Sequence, residues 1–142
     1  MKMKTRTTWE GNKTFIMTND EGKELRIDTP PARGGDGTGV SPMESVLGAL
    51  AGCMGININV ILRPYLDKLE KLEFETVGLR NEEPPKSFKG IEMTVHVDGD
   101  IPASRIWRAV NLSEEKYCSV AHSLKADITF KIILNGEEVE EQ

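Results

Sequence analysis

The chain has 142 residues, room for one compact domain that buries roughly two-thirds of its unfolded surface. Hydrophobic residues make up 38% and charged residues 29%, a globular balance rather than a disordered one. The net charge is −5 and no basic stripe is present, which argues against nucleic acid as a partner. The start, Met1-Lys2-Met3-Lys4-Thr5-Arg6, is basic, yet Thr7, Thr8, Trp9 and Glu10 follow instead of an apolar run, so no export signal is read there. The expected compartment is the reducing cytoplasm, where a permanent disulfide is not expected and a transient one is allowed.

The elements are expected in the following order. Residues 1–28 read as three strands, with turns at Gly11-Asn12 and at Asn19-Asp20-Glu21-Gly22. Thr29-Pro30-Pro31 then ends the sheet, and Gly34, Gly35, Gly37 and Gly39 suggest a flexible connector or lid. A long helix is expected over 41–62, with Ser41 as its N-cap, Pro42 in the first turn and Glu44 closing a Ser-x-x-Glu capping box. That helix is apolar nearly all round, which predicts that protein encloses it and that it spans no membrane. Pro64 ends it.

Residues 71–134 return to alternation. Leu72, Phe74, Thr76 and Gly78 share one face of a strand, and Ile91, Met93, Val95 and Val97 one face of the next, with His96 on the opposite, solvent face. Asp100-Ile101-Pro102 opens a helix running towards Tyr117 with Ile106 and Val110 inward. A short helical piece through Leu124 and a last strand over 127–134 follow, and residues 135–142 read as a solvated acidic tail. The expected class is α+β, one domain, with a mainly antiparallel sheet and a long central buried helix.

The chemistry-bearing candidates are the two cysteines. Cys53 lies inside the long helix and Cys118 at the junction with Ser119-Val120-Ala121-His122. Residues so far apart meet only through the fold. Two thiols brought together would suit redox chemistry, and two core cysteines would look the same in sequence. His122, four residues after Cys118, is read either as tuning that thiol or as a hydrogen-bonded structural histidine. Arg33, in the glycine-rich segment, is read as solvated or as a cation swinging over the site. The glycines do not form a P-loop or a dinucleotide fingerprint, and Cys53, Cys118 and His122 lack paired metal-ligand spacing, so no cofactor and no metal are expected.

Two stretches carry a family resemblance: Gly37-Thr38-Gly39-Val40-Ser41-Pro42 running into Leu50-Ala51-Gly52-Cys53, and Glu115-Lys116-Tyr117-Cys118-Ser119-Val120-Ala121-His122-Ser123-Leu124. Together with the element order they resemble the OsmC/Ohr family of small thiol-dependent peroxide-handling proteins. The resemblance implies an OsmC-like fold, an intertwined homodimer, Cys53 as peroxidatic thiol and Cys118 as resolving thiol. It also implies a peroxide substrate and an external dithiol reductant, with no membrane partner. In the hydroperoxide-reducing branch a glutamate follows the helix-opening proline and pairs with an arginine from the first hairpin. Here Met43 holds that position, Glu44 comes one residue later as a cap, and the hairpin offers Lys13, so the pattern is more similar to the YhfA-like branch. Without that cation the Cys53 thiolate fraction near neutral pH is expected to be low. The alternative left open is a non-catalytic dimeric binding protein holding a small apolar or acyl ligand in the cysteine pocket.

Overall fold

A computed structural model describes all residues, 1–142, as two compact units, Met1–Val46 and Leu47–Gln142. The first unit is a three-stranded antiparallel sheet in the order β1 (Thr5–Gly11), β2 (Thr14–Asn19), β3 (Glu24–Ile27). Its turns use the residues expected of them. Asn12 takes φ +44° after Gly11 at +112°, and the Asn19 carboxamide accepts the N–H groups of Glu21 and Lys23 before Gly22 at +82°. Cross-strand pairing puts Trp9, Phe15 and Ile27 together on one face, yet Trp9 remains 62% exposed and Phe15 39%.

The glycine-rich segment is not the open connector expected from its composition. It folds round Asp28, a carboxylate only 1% exposed. Asp28 accepts from Thr14 Oγ1 (3.0 Å), Thr38 Oγ1 (2.6 Å) and the backbone N–H groups of Thr29, Thr38 and Asp36. Asp28 N–H donates to Val40 O at 2.9 Å, which draws the far end of the segment back to β3. Two glycines are needed for closeness rather than freedom: a Cβ at Gly35 would strike the Thr29 carbonyl, and one at Gly39 the Arg26 carbonyl. Composition signals a loop. Only the buried acid reveals that the loop is fastened.

Helix α1 (Pro42–Ile61) begins with the reciprocal bonds of the capping box: Ser41 N–H to Glu44 Oε1 at 2.8 Å and Glu44 N–H to Ser41 Oγ at 3.2 Å. In the second unit α1 contributes Leu50, Met54 and Ile58 to the core, a stripe at four-residue spacing. The opposite side is not enclosed by this chain: Ile56 is 69% and Val60 56% exposed. Length and hydropathy alone would let α1 cross a membrane, and this chain buries only the Leu50, Met54 and Ile58 stripe of it.

A 3-10 stretch, Arg63–Lys68, follows Leu62 and delivers the chain to a four-stranded sheet, β4 (Leu69–Arg80), β5 (Phe88–Gly99), β6 (Asp127–Leu134) and β7 (Glu137–Val139), neighbours in that order. β4–β5 and β6–β7 pair antiparallel, and β5–β6 pair parallel. The parallel pair exists because α2 (Ala103–Leu112), a π-helical turn (Ser113–Tyr117) and α3 (Ser119–His122) lie between its strands as a crossover. Ile91, Met93, Val95 and Val97 on β5 are all buried against Ile106, Ala109 and Val110 of α2 and the α1 stripe. His96 is half-buried rather than exposed, because β4 and β6 flank it through Glu73 and Ile133.

The acidic end also departs from the expectation of a frayed tail. Asn135 (φ +50°) and Gly136 (φ +85°) make a tight hairpin turn, and Glu137–Val139 pairs back on β6. Trp107 Nε1 donates to Val139 O at 3.1 Å and fixes that strand to α2. Its charged side chains point to solvent while its backbone completes the sheet edge.

The Asp28 fastening carries a pH signature. The Thr38 hydroxyl bond, opposed by burial and reinforced by the Thr29 and Thr38 N–H groups and the Thr14 hydroxyl, holds this carboxyl well below the usual carboxylate range. A group depressed on folding stabilises the folded state fully above its unfolded pKa, about 4, and less as pH falls below it. Asp28→Asn places an NH2 group among donors and should lower the urea midpoint at pH 7. The gap from wild type should narrow below about pH 4. Equal midpoints at pH 7 in paired urea titrations would show that the carboxylate does not hold the segment.

Candidate functional site

Cys53 and Cys118 both lie in the second unit, and folding brings them together. Cys53 sits in mid-α1, half-buried, and Cys118 is fully buried between the π-helical turn and α3; both are free thiols. The two thiols are close enough for each to influence the other's ionisation. Residues far apart in sequence thus form one pair of sulfurs, one reachable from solvent and the other shielded.

The turn before Cys118 is what delivers it. Cys118 N–H bonds to Ser113 O at 2.7 Å, closing the wide π turn. The buried Ser113 hydroxyl lies 3.3 Å from Met54 O and 3.4 Å from Met54 Sδ, tying this turn to the α1 residue next to Cys53. Cys118 then acts as N-cap of α3, its sulfur accepting from Ala121 N–H at 3.3 Å.

The electrostatics separate the two thiols. Partial burial opposes ionisation of Cys53, but the Val120 N–H, the Cys118 thiol and the Ser119 N–H together outweigh it, and its pKa falls below the ordinary thiol value. Burial dominates at Cys118 and, with the Cys53 thiolate as neighbour, pushes its thiol up to about 11 despite the Ala121 N–H. The shift runs in the direction that a paired arginine would give, without fixing how much thiolate is present near neutral pH. Neutral donors, mostly peptide N–H groups, take the place of the cation. Asn57, one helical turn after Cys53, adds a carboxamide whose Nδ2 lies 3.9 Å from the sulfur.

The remaining candidates are placed as follows. His122 Nε2 lies 2.9 Å from Glu115 O and 3.1 Å from Glu114 O, so it donates to the end of the π turn and serves a structural role. Arg33, Met43 and Glu44 belong to the first unit. Arg33 ends a 3-10 turn, its carbonyl accepts from Lys13 Nζ at 3.0 Å, and its charge favours the ionised form of Glu44. The Ser41 N–H and hydroxyl are the larger influences on Glu44 and likewise lower its pKa, as a cap requires. Met43 is half-buried. Sequence reasoning missed Asn57, which its spacing from Cys53 could have signalled. It also missed the Ser119 and Val120 amides, for which residue identity carries no signal.

A half-exposed free thiol beside a buried one, on a central helix and a turn packed over a mixed sheet, defines a paired-cysteine thiol protein. The family description "OsmC-like protein" matches residues 35–133, and the chain belongs to that family. Protein YhfA of Escherichia coli K12 is 36% identical over 124 residues, 87% of this chain and 90% of its own. Among solved structures, an OsmC-like protein of unknown function from Vibrio cholerae superposes with a TM-score of 0.79 at 16% identity, covering 94% of this chain and 99% of the other. The organic hydroperoxide resistance protein OhrB of Bacillus subtilis gives 0.60 at 20% identity, covering 92% and 97%.

The ionisation order predicts a labelling pattern. Iodoacetamide at pH 7 should modify Cys53 and leave Cys118 unmodified, as read by peptide mass spectrometry. Cys118→Ala, which removes the S–H donor, should move the Cys53 alkylation midpoint to higher pH, and Cys118→Ser, which keeps a hydroxyl donor, should move it less. Preferential labelling of Cys118 would contradict the assigned order.

Proposed function

We propose that this protein is a thiol-dependent peroxidase that reduces organic hydroperoxides through Cys53 and Cys118, as part of an oxidative-stress response. The observation that carries the reading is the meeting of two free thiols from distant parts of the chain, a buried Cys118 of raised pKa and a partly exposed Cys53 of lowered pKa. In the first step the Cys53 thiolate attacks the outer oxygen of the peroxide. The O–O bond breaks, the alkoxide takes a proton and leaves as alcohol, and Cys53 becomes a sulfenic acid. Cys118 then attacks the sulfenic sulfur, an S–S bond forms and water leaves. An external dithiol restores both thiols by exchange. The reading also draws on family membership and on the hydroperoxide resistance named for the Bacillus subtilis neighbour. A reducing cytoplasm would keep both cysteines free between turnovers.

The working form in this reading is a homodimer. Two apolar surfaces support it, each within its own unit: Trp9 with Phe15 on the first sheet, and Ile56 with Val60 on α1. A second copy would remove both from water, at about 25 cal/mol per Å² of apolar area. Val60→Asp should therefore shift the protein towards monomer in light scattering. An unchanged mass at low micromolar concentration would remove α1 from the interface.

A second reading, a non-catalytic dimeric binding protein for a small apolar or acyl ligand, is favoured by one feature. A groove of about 540 Å³ runs between α1 and β4, lined by Ala51, Gly55, Ile56, Val60, Leu72 and Phe74. Thiol counting separates the two. Mild treatment with an organic hydroperoxide should remove two thiols per chain in wild type, and Cys53→Ser should abolish peroxide consumption. Cys118→Ser should complete one turnover and stall at sulfenate or overoxidise. Wild-type consumption by Cys53→Ser, or no thiol loss, would transfer the assignment to the binding protein.

A further inference from the structure

Asn57 stands on α1 four residues after Cys53, on the same side of the helix. Its side chain is half-buried, and its one hydrogen bond to the protein is the 3.9 Å contact from Nδ2 to the Cys53 sulfur. A half-buried carboxamide normally repays its ordering with firm bonds to backbone or neighbouring side chains. This one makes none. Its geometry is directed at a sulfur, and only its N–H end can face a negatively charged sulfur without repulsion.

We propose that Asn57 is a catalytic residue of this site, a neutral side-chain donor that follows the Cys53 sulfur as it gains and loses charge. The proposal rests on the peroxidase reading for what the sulfur does next, but not for the contact itself. At 3.9 Å the bond is long because a thiol is a weak acceptor. A thiolate is a stronger one, and a long bond in the resting site shortens when charge develops. The peptide N–H groups of Ser119 and Val120 are fixed by the α3 turn and cannot follow the sulfur, whereas a carboxamide on two rotatable bonds can. Its remaining N–H and its Oδ1 carry no protein partner and are free for a peroxide's O–H and outer oxygen.

The site has no competing charge to obscure this role. Of the α1 residues only Glu44, in the first turn, is ionisable besides Cys53. On the turn opposite, Cys118 is the titratable group facing the sulfur, and the His122 ring is engaged with the Glu114 and Glu115 carbonyls.

The test is the pH dependence of Cys53 alkylation by iodoacetamide in the full-length protein, read by mass spectrometry for wild type, Asn57→Leu, Asn57→Ser and Asn57→Asp. Asn57→Leu keeps the volume and removes the donor. It should move the midpoint upward enough to lower alkylation at pH 7 roughly threefold. Asn57→Asp sets a like charge beside the sulfur and should lower it roughly tenfold. Asn57→Ser, with a shorter donor, should fall between wild type and Asn57→Leu, and it carries the comparison if either other variant fails to fold. A merely structural role would change thermal stability without moving the midpoint. Leu and Ser variants that fold and titrate Cys53 as wild type does would overturn the proposal, whatever their peroxide consumption. Shifted midpoints in a protein that consumes no peroxide would support the contact and refute only the peroxidase reading.

Discussion

A sulfur atom half-way along an apolar helix is a poor place for negative charge, and the second unit is organised around making it tolerable. Burial alone would keep Cys53 protonated. What opposes that is a short turn whose Val120 N–H, Cys118 thiol and Ser119 N–H lower the Cys53 pKa below the ordinary thiol value. A peptide N–H brings a fixed dipole and no counter-charge to desolvate, so it can work close to a hydrophobic core where a guanidinium would need its own partner. In the sequence, the position after the helix-opening proline is Met43, and Glu44 is committed to the cap. A neutral cradle is the arrangement consistent with that local sequence.

The cradle demands accuracy from elements that look unremarkable. The π turn over Ser113–Tyr117 adds a residue to the winding and so sets where Cys118 emerges, and Ser113 anchors that turn to the Met54 carbonyl beside Cys53. Beneath them, Val95 and Val97 of β5 are completely buried, and the parallel β5–β6 pair requires the crossover of which the turn is part. The chain superposes better on an OsmC-like protein of unknown function than on OhrB, although identity is low in both cases, so overall geometry, not residue matching, distinguishes them.

In the first unit a different buried charge does comparable work. Asp28 gathers donors from β2 and from the glycine-rich segment, and the segment's compactness follows from satisfying that one carboxylate. A short sheet with no helix of its own has little apolar burial to rely on, so polar fastening and the close approach allowed by Gly35 and Gly39 hold its shape. Its Trp9–Phe15 face is left open, a surface that a lone chain does not cover.

Local chemistry written into the sequence was enough for the capped start of α1, the turns at Gly11-Asn12 and Asn19–Gly22, and the inward faces of β4 and β5. Each of these is a rule about neighbours along the chain: a side chain reaching its own backbone, a period of two or of nearly four. The tertiary structure decided the rest. It made a strand of Glu137–Val139, because a backbone needing partners found the open edge of β6 despite its acidic side chains. It turned the glycine loop into a fastened one through Asp28, and it gave His122 to the π turn rather than to a thiol. Above all it set the ionisation of Cys53, because that depends on peptide N–H groups. Every residue but proline carries one, so their identity in the sequence says nothing about where they will point.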